Sequence, residues 1–231
     1  MISVILPCRN EEKYLPRCLS SLVSQTYPRD QYEIIVTDSA SVDGTRAIAE
    51  SFGARVVQEP RPGVALARQR GVEAARGEIV AVTSADVEVP PDWLDRIAAD
   101  FAADPDLLAV GGPVRSYDGN WLLDRYFIFP PTHWIFAFFG WPTFSCDNVA
   151  VRRDVLIRIG GFNVRLPSLE DTELAFRLNR IGKVRLDPLL VTRTSKRRAS
   201  EGWIPFAARS LSSHVKFFVL KQTPNQFPEI R

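Results

Sequence analysis

The sequence predicts an α/β fold in which a mostly parallel central sheet is flanked by helices. Short runs rich in β-branched residues, typical of buried strands, recur along the first half of the chain: "ISVILP", "YEIIVTD", "ARVVQ", "EIVAVTS" and "LLAVGGPV". Helical stretches are predicted between them, at 44–52, 63–76 and 92–102. Because this alternation favours parallel pairing through crossover helices, we expect a nucleotide-type α/β layer.

The chain can support a substantial hydrophobic core. It has 231 residues, of which 45% are hydrophobic and 24% are charged, a composition that is ordinary for a globular protein. The net charge of +2 is too small to indicate nucleic acid as a partner. The three cysteines, Cys8, Cys18 and Cys146, have no C-x-x-C spacing, so they indicate neither a disulfide framework nor a zinc site and fit a reducing compartment.

The first unit of the fold is predicted to be a strand followed by an amphipathic helix. The opening "MISVILP" has no basic leader and is too short for the apolar region of a signal peptide, so we interpret it as a strand and expect a cytoplasmic location. The next segment carries residues at the spacing of one helical face: Tyr14, Leu15, Cys18, Leu19, Leu22 and Val23.

Two acidic residues, Asp38 and Asp86, follow predicted strands. Ligands of open α/β sheets bind beyond the carboxyl ends of the strands, so both positions favour a function. The loop "DSASVDGT" also has a simpler interpretation, in which Asp43 is the N-cap of the next helix and Gly44 opens the turn. From the loop by itself, capping is favoured over binding.

Four stretches of the sequence carry motifs when taken together. They are "ILPCRNEE", "DSASVDGT", the Ser84-Ala85-Asp86 triplet, and "GGF" followed by "LEDTELAFRLNRIG". In this order they resemble the motifs of family 2 glycosyltransferases of the GT-A fold, over roughly residues 1–200. No internal repeat or linker divides the chain, so we predict one GT-A domain over 1–231. Its parts would be a nucleotide-sugar-binding half at 1–115, an acceptor-binding half at 116–200 and a helical tail at 201–231.

The resemblance implies a nucleotide pocket at the ends of the first strands. Asp38 matches an acid that accepts a hydrogen bond from a uracil-type ring N–H. Arg68 of "ALARQRG" matches an arginine near the nucleotide and diphosphate, where a guanidinium pairs well with phosphate oxygens. The spacing is equally compatible with an exposed helix arginine. The other residues expected in this pocket are Pro7, Arg9, Glu11 and Ser41.

The Ser84-Ala85-Asp86 triplet stands where the family has a D-x-D sequence. The resemblance implies that Asp86 binds a divalent metal, Mn²⁺ or Mg²⁺, which neutralises the departing diphosphate. Ser84 and Ala85 would contact the nucleotide, and Ser84 replaces an acid that often helps to hold the ribose. We expect the Asp86 carboxylate to face solvent. The simpler interpretation of Asp86 is a turn residue before "VPPDW".

The pair Glu170-Asp171 also has two interpretations. Ser168 and Asp171 form an S-x-x-D sequence before a predicted helix, which is typical of a capping box. The resemblance instead implies a catalytic pair in which Asp171 is the general base. An inverting displacement needs such a base and no enzyme nucleophile, and the sequence shows no triad signal.

Two further segments have unusual composition. Residues 193–209 are rich in basic side chains, so Arg197 and Arg198 are candidates for diphosphate contacts, although a solvated basic turn is as compatible. Residues 121–144 are rich in aromatic side chains, but Pro130, Pro131 and Pro142 interrupt them, so we reject a membrane span. A core or dimer-forming hairpin and a surface for a bilayer or a lipid-linked acceptor remain.

The predicted function is transfer of a sugar from a nucleoside diphosphate sugar to an acceptor hydroxyl, with inversion. The acceptor would be a sugar or a lipid-linked molecule, and peripheral contact with the cytoplasmic face of a membrane is slightly favoured. Two alternatives come from other classes. One is a nucleotidyltransferase, although "PCRNEEKYLP" lacks the Gly-rich loop that such enzymes normally show. The other is a non-catalytic module that binds nucleotide sugars, which Ser84 keeps open.

Overall fold

A computed structural model describes residues 1–117, 138, 140–195, 212–213 and 216–217. The strands are β1 (Ile2–Cys8), β2 (Tyr32–Asp38), β3 (Arg55–Gln58), β4 (Ile79–Val82), β5 (Val87–Glu88), β6 (Leu107–Gly111), β7 (Val114–Ser116), β8 (Val149–Arg152), β9 (Lys183–Leu186) and β10 (Thr192–Thr194). The helices are α1 (Leu15–Val23), α2 (Thr45–Ser51), α3 (Val64–Ala74), α4 (Trp93–Ala103), α5 (Arg153–Arg158) and α6 (Glu170–Asn179). A short 3₁₀ turn, Arg29–Gln31, precedes β2.

The central sheet has seven strands in the order β3-β2-β1-β4-β8-β6-β9. All neighbouring pairs are parallel except those of β8, which is antiparallel to β4 and β6. A second sheet has the order β5-β10-β7. The predicted fold class, a mostly parallel sheet flanked by helices, is therefore confirmed.

Both faces of the central sheet are covered, which is why the strands at its centre, such as β1 and β4, are largely apolar. In β1, Val4 and Leu6 belong to the core under α1 and α4, whereas Ile5 belongs to the core under α3, α5 and α6. Gly71 of α3 permits close packing there, because a Cβ atom would lie 3.1 Å from Cβ of Ile5. Full burial of each large aliphatic side chain contributes about 1.5–3 kcal/mol.

Two details of the predicted elements were wrong. The single strand predicted over "LLAVGGPV" is divided between the two sheets at Gly112, where a Cβ atom would lie 1.9 Å from the Leu190 carbonyl oxygen. Only glycine allows that approach. The buried face of α1 is also shorter at both ends than predicted. Tyr14 precedes the helix as its N-cap, and Val23, its last residue, is exposed.

The sheet register brings the ends of the strands to one edge. Cys8 is paired with Asp38 at the ends of β1 and β2, and Ile5 is paired with Val82 at the end of β4. The antiparallel β8 starts where β4 ends, because Val82 is paired with Val149. The residues before β8 therefore share this edge with those that follow β1, β2 and β4. We call this end of the sheet the donor edge, after the nucleotide-sugar donor that the resemblance implies; it comprises the loops after β1 and β2, the turn of Ser84 to Asp86, and Asp147 before β8.

Candidate active site

The loops after β1 and β2 are joined by hydrogen bonds between distant residues. The Asn10 N–H donates to Ser41 Oγ (2.9 Å), and the Glu11 N–H donates to Thr45 Oγ1 (2.7 Å). In return, the Val42 N–H donates to Asn10 Oδ1 (2.9 Å). Each loop therefore fixes the other, and Ser41 contributes to this frame as an acceptor.

Asp38 lies at the end of β2 and is only 3% exposed. Its Oδ1 accepts a hydrogen bond from the Ser41 N–H (3.1 Å), and its Oδ2 accepts one from Gln58 Nε2 (3.3 Å). A carboxylate has about four acceptor sites, so each oxygen can accept a further hydrogen bond from a ligand. Asp38 is thus both oriented by the protein and able to recognise an N–H donor.

Asp43 has a role at the start of α2. Its Oδ1 accepts from the Thr45 N–H (3.0 Å) and the Thr45 hydroxyl (2.5 Å), and its Oδ2 accepts from the Glu12 N–H (3.2 Å). Burial opposes ionisation, but these hydrogen bonds hold the pKa of Asp43 below its ordinary value. The N-cap residue is Gly44, so the predicted N-cap was wrong by one position, although the carboxylate does satisfy the first helical N–H.

The Ser84-Ala85-Asp86 triplet forms a buried turn. All three residues are at most 6% exposed, and the Ser84 carbonyl accepts a hydrogen bond from the Val87 N–H (3.1 Å). The expectation that Asp86 faces solvent was therefore wrong. Asp86 Oδ2 accepts from the Ser195 hydroxyl (2.7 Å), while the Ser84 hydroxyl donates to Asp147 Oδ1 (2.5 Å). The turn interpretation is correct, and it leaves a functional role open.

The triplet is supported from α1 and from the small sheet. The Cys18 thiol donates to the Ser84 carbonyl (3.4 Å), and burial, followed by the carboxylates of Asp86 and Glu11, raises the pKa of Cys18. On the other side, the Tyr117 hydroxyl donates to the Asp86 carbonyl (2.8 Å), as does the Ser195 N–H (3.2 Å). The ends of β7 and β10 thus both lie against Asp86.

Arg68 of α3 forms a buried ion pair with Glu170. Arg68 is 4% exposed and Glu170 is 6% exposed, and Arg68 Nη1 donates to Glu170 Oε1. Burial opposes the charge of Arg68, but electrostatic interactions with Cys146 and then with Glu170, Asp147 and Asp171 raise its pKa above the ordinary value. The interpretation of Arg68 as an exposed helix arginine was therefore wrong.

The first turn of α6 places two adjacent acids in different environments. Glu170 is buried against Arg68, whereas Asp171 is partly exposed. Asp171 Oδ1 accepts from the Thr172 N–H (2.7 Å) and the Thr172 hydroxyl (3.3 Å). The N-cap is Leu169, without a side-chain cap, so the predicted capping box of Ser168 and Asp171 was wrong. A partly exposed acid at a helix N-terminus is available to an incoming ligand.

Among the described residues, three non-glycine residues have a left-handed backbone: Asn10 (φ 55°), Ala40 (φ 56°) and Leu169 (φ 63°). They lie in the loops that follow β1 and β2 and directly before α6. Such conformations cost free energy and cluster at functional sites. Their distribution agrees with the positions of Asp38 and Asp171.

The end of the aromatic segment packs against α6. The rings of Trp141 and Phe176 lie 5.3 Å apart, and Asn179 Nδ2 donates to the Pro142 carbonyl (2.9 Å). Phe144 is fully buried, whereas Phe138 is 85% exposed. The described residues do not include 121–137 and 139 of the aromatic segment. They also do not include Arg197 and Arg198, the predicted diphosphate contacts. No helix in the described ranges is long and apolar enough to cross a membrane.

At the donor edge, Asp86 is the candidate protein ligand for a divalent metal of the Mg²⁺ type. Within the part of the chain that the structure describes, no group of three or more His, Cys, Asp or Glu side chains is placed to hold a metal. Mg²⁺ is usually held by one or two carboxylates together with substrate phosphates and water. A site with Asp86 as a protein ligand is compatible with that chemistry.

Comparison with known proteins decides the family. Residues 3–160 match the profile described as glycosyl transferase family 2. The chain belongs to glycosyl transferase family 2. AglE, a glycosyltransferase of Haloferax volcanii, is 31% identical to it over 190 residues, which cover 78% of this chain and 62% of AglE.

Two solved structures show that this family 2 chain has the GT-A fold. A mannosyltransferase from Pyrobaculum calidifontis, in complex with GDP-Man and Mn²⁺, has a TM-score of 0.75 and 26% identity, over 97% of this chain and 65% of that protein. Glucosyl-3-phosphoglycerate synthase from Mycobacterium tuberculosis, in complex with Mn²⁺, UDP and phosphoglyceric acid, has a TM-score of 0.65 and 23% identity, over 94% of this chain and 78% of that protein. The chain spans about 62–65% of the length of AglE and of the mannosyltransferase.

The structure brings most of the predicted family 2 site residues to the donor edge or the start of α6, but sequence reasoning missed several neighbours. Asp147 was missed because β8, which positions it, was not predicted as a strand. Ser195 and Tyr117 were missed because they contact Asp86 only through the second sheet. The "VAVR" run after Asp147 was the available signal, since it is short, β-branched and follows turn residues.

Proposed function

We propose that this chain transfers a sugar from a nucleoside diphosphate sugar to an acceptor hydroxyl, with inversion. One observation carries the proposal: the donor edge and the start of α6 are coupled electrostatically through Asp147 and Arg68. Ser84 donates to Asp147, the charge of Asp147 acts on Arg68, and Arg68 is paired with Glu170, next to Asp171. A donor and an acceptor that occupy these two places would meet within one site.

Nucleotide recognition is assigned to the loops after β1 and β2. Asp38 would accept a hydrogen bond from a ring N–H of the base, because its two oxygens are oriented by Ser41 and Gln58 and retain acceptor capacity. The surrounding wall would be formed by Pro7, Arg9 and Glu11. The relatives bind both GDP and UDP forms, and each of these bases carries a suitable N–H, so Asp38 does not select between them.

Asp171 is assigned as the general base. Its carboxylate would take the proton of the acceptor hydroxyl while the acceptor oxygen bonds to the anomeric carbon and the bond to the diphosphate breaks. Glu170 is assigned a supporting role, since its pairing with Arg68 holds it away from solvent and fixes the turn that carries Asp171. In this proposal Arg68 positions the general base Asp171, through its ion pair with Glu170, and does not contact the diphosphate.

Asp86 would hold a divalent metal that balances the negative charge of the leaving diphosphate. A divalent metal bound there supplies Lewis-acid stabilisation of the departing charge. Arg197 and Arg198 would add positive charge, because Ser195, two residues before Arg197, contacts Asp86 directly.

The acceptor is proposed to be a sugar or a lipid-linked molecule. It would enter on the side of α6 where the end of the aromatic segment packs.

The proposal is tested by binding before turnover. A thermal-shift panel of UDP-, GDP- and ADP-sugars, with and without Mn²⁺, should raise the melting temperature for one donor class, because ligands stabilise the folded state by mass action. Asp86→Ala should remove the Mn²⁺-dependent part of that shift and the metal-dependent turnover. Consumption of a nucleoside triphosphate with release of pyrophosphate would instead indicate a nucleotidyltransferase. Donor binding without transfer or hydrolysis would favour a binding module.

A further inference from the structure

Asp147 reaches the donor edge because β8 is antiparallel. It lies two residues before β8, at the point where β4 ends, and Val149 of β8 is paired with Val82 of β4. The Thr83 hydroxyl donates to the Asp147 carbonyl (3.0 Å), and the Ser84 hydroxyl donates to Asp147 Oδ1 (2.5 Å). Both the backbone and the side chain of Asp147 are therefore bound to the segment that starts the triplet.

The residue next to Asp147 fixes its position. Asn148 is fully buried and accepts a hydrogen bond from Trp93 Nε1 (2.8 Å). Its side-chain amide donates to the carbonyls of Pro113 (3.2 Å) and Leu190 (2.5 Å). These contacts tie the turn before β8 to α4 and to two loops, so buried hydrogen bonds of Asn148 fix the backbone next to Asp147.

A carboxylate accepts hydrogen bonds and donates none, and this determines how Ser84 behaves. A free serine hydroxyl can turn to donate or to accept. Because the Ser84 proton is directed at Asp147, the lone pairs of Ser84 Oγ remain for a donor on a ligand. The negative charge of Asp147 also polarises the Ser84 hydroxyl and strengthens it as an acceptor.

We propose that Asp147 is a positioning residue that fixes Ser84 as the hydrogen-bond acceptor for a ribose hydroxyl of the donor nucleotide. The inference rests on the proposed function. Ser84 and Asp86 both lie in the turn that follows β4, and β1 separates this turn from Asp38 at the end of β2. With the base assigned to Asp38 and the diphosphate to Asp86, the ribose that links them would lie next to this turn, where Ser84 carries the hydroxyl.

Asp147 therefore supplies from β8 the negative charge that residue 84 does not carry itself. The charge acts on a ligand through one intervening hydroxyl, and it also acts electrostatically on the buried cation Arg68. Moving the carboxylate to residue 84 while Asp147 remains would place two acids within hydrogen-bonding distance. We thus expect Ser84→Asp to weaken nucleotide binding by itself, and Asp147→Ser in addition to restore it.

The test is calorimetric binding of UDP and GDP, and of their 2′,3′-dideoxy counterparts, at a fixed Mn²⁺ concentration. Wild type should prefer the ribonucleotide by about tenfold, the effect of a hydrogen bond to a charge-assisted acceptor. Ser84→Ala, Asp147→Ala and the double variant should each reduce that preference to about twofold or less, because they remove one shared interaction. Affinity for the dideoxy nucleotides should stay constant. Asp147→Asn, which keeps an acceptor oxygen, should be intermediate and serves if Asp147→Ala does not fold.

Asp154 provides the matched control, because it is an exposed acid at the opposite end of β8. Asp154→Ala should keep the full ribose preference. The inference is overturned if Asp147→Ala also keeps it, or if that variant loses ribo- and dideoxynucleotide affinity equally, which would assign Asp147 to the diphosphate or to folding. A wild type that binds UDP or GDP without any ribose preference overturns the inference and leaves the proposed function intact. If no nucleoside diphosphate binds, it is the proposed function that fails.

Discussion

The donor edge and the first turn of α6 are stabilised in different ways. At the donor edge, backbone N–H groups of one loop donate to side chains of the other, as Asn10 does to Ser41 and Glu11 to Thr45. At α6, the hydrogen bonds of Asp171 come from its neighbour Thr172, and the turn is tied to α3 by the ion pair of Glu170 with Arg68.

This difference indicates how each side would tolerate change. Two hydrogen bonds, from Ser41 and Gln58, orient the Asp38 carboxylate, so the loss of one should leave a nucleotide site of similar shape. A buried ion pair behaves otherwise, because removing one partner leaves the other charge buried and unpaired. The donor edge is therefore expected to be robust, and the placement of Asp171 to depend on Arg68.

The largest effect is expected at Asp171 itself. Asp171→Asn keeps the size of the side chain and its bonds to Thr172, but it removes the proton acceptor, so kcat should fall by roughly 10²- to 10⁴-fold. The melting temperature should change little, since the variant loses only the interaction of the charge with the helix N-terminus, about 0.3–1 kcal/mol. Saturating single-turnover assays with donor and acceptor would measure the effect.

Glu173→Gln is the control for Asp171, because Glu173 is another acid of the same turn and is paired with Arg177. It should leave kcat within about twofold of wild type, the range expected of a group that takes no proton. Transfer by Asp171→Asn at the wild-type rate would mean that the base lies elsewhere and that the acids of this turn serve the helix.

The next effect is expected on stability, at Arg68. Arg68→Met removes the cation of the buried ion pair with Glu170 and should lower the free energy of unfolding by about 3–5 kcal/mol. Arg70→Met on the same helix removes an exposed pair with Glu73 and should cost at most about 1 kcal/mol. Urea titrations followed by circular dichroism would compare the two variants.

The double variant Arg68→Met with Glu170→Met separates stability from catalysis. Replacing both partners of a buried ion pair by apolar residues should recover most of the lost stability. If Arg68 positions the base, kcat should nevertheless stay low in the double variant. Recovery of both stability and kcat would show that the pair is not needed to orient Asp171.

A smaller effect is expected at the donor edge. Asp38→Asn replaces a charged acceptor by a neutral one and should weaken nucleotide affinity by about tenfold, with little change in kcat. Asp43→Asn in the same loop should instead lower stability, because an amide has one acceptor oxygen and cannot accept from both Thr45 and the Glu12 N–H as the carboxylate does. Calorimetry of nucleotide binding would distinguish them, and equal losses of affinity would contradict the separate roles of the two acids.

The sequence predicted what depends on local pattern. Strands and helices could be located because hydrophobic periodicity and burial are local, and Asp38 and Asp86 could be placed at strand ends for the same reason. The contacts that define the site join residues far apart in the chain, such as Ser84 with Asp147 and Arg68 with Glu170. No local pattern encodes such pairs, because they depend on the antiparallel entry of β8 and on how α3 meets α6. For that reason the pairing of Arg68 with Glu170 was not predicted.

The smallest effect is expected at the surface near α6. If the aromatic segment meets lipid or a lipid-linked acceptor, Phe138→Ser with Phe139→Ser should reduce co-sedimentation with liposomes, because Phe138 is 85% exposed and apolar. Nucleotide affinity should not change, since the donor edge is built from other elements. The matched control is Val42→Ser in the loop after β2, where Val42 is 89% exposed. If the double variant binds liposomes as wild type does but changes from dimer to monomer, the segment serves self-association. If Val42→Ser loses as much liposome binding as the double variant, the aromatic segment is not a specific membrane-binding surface.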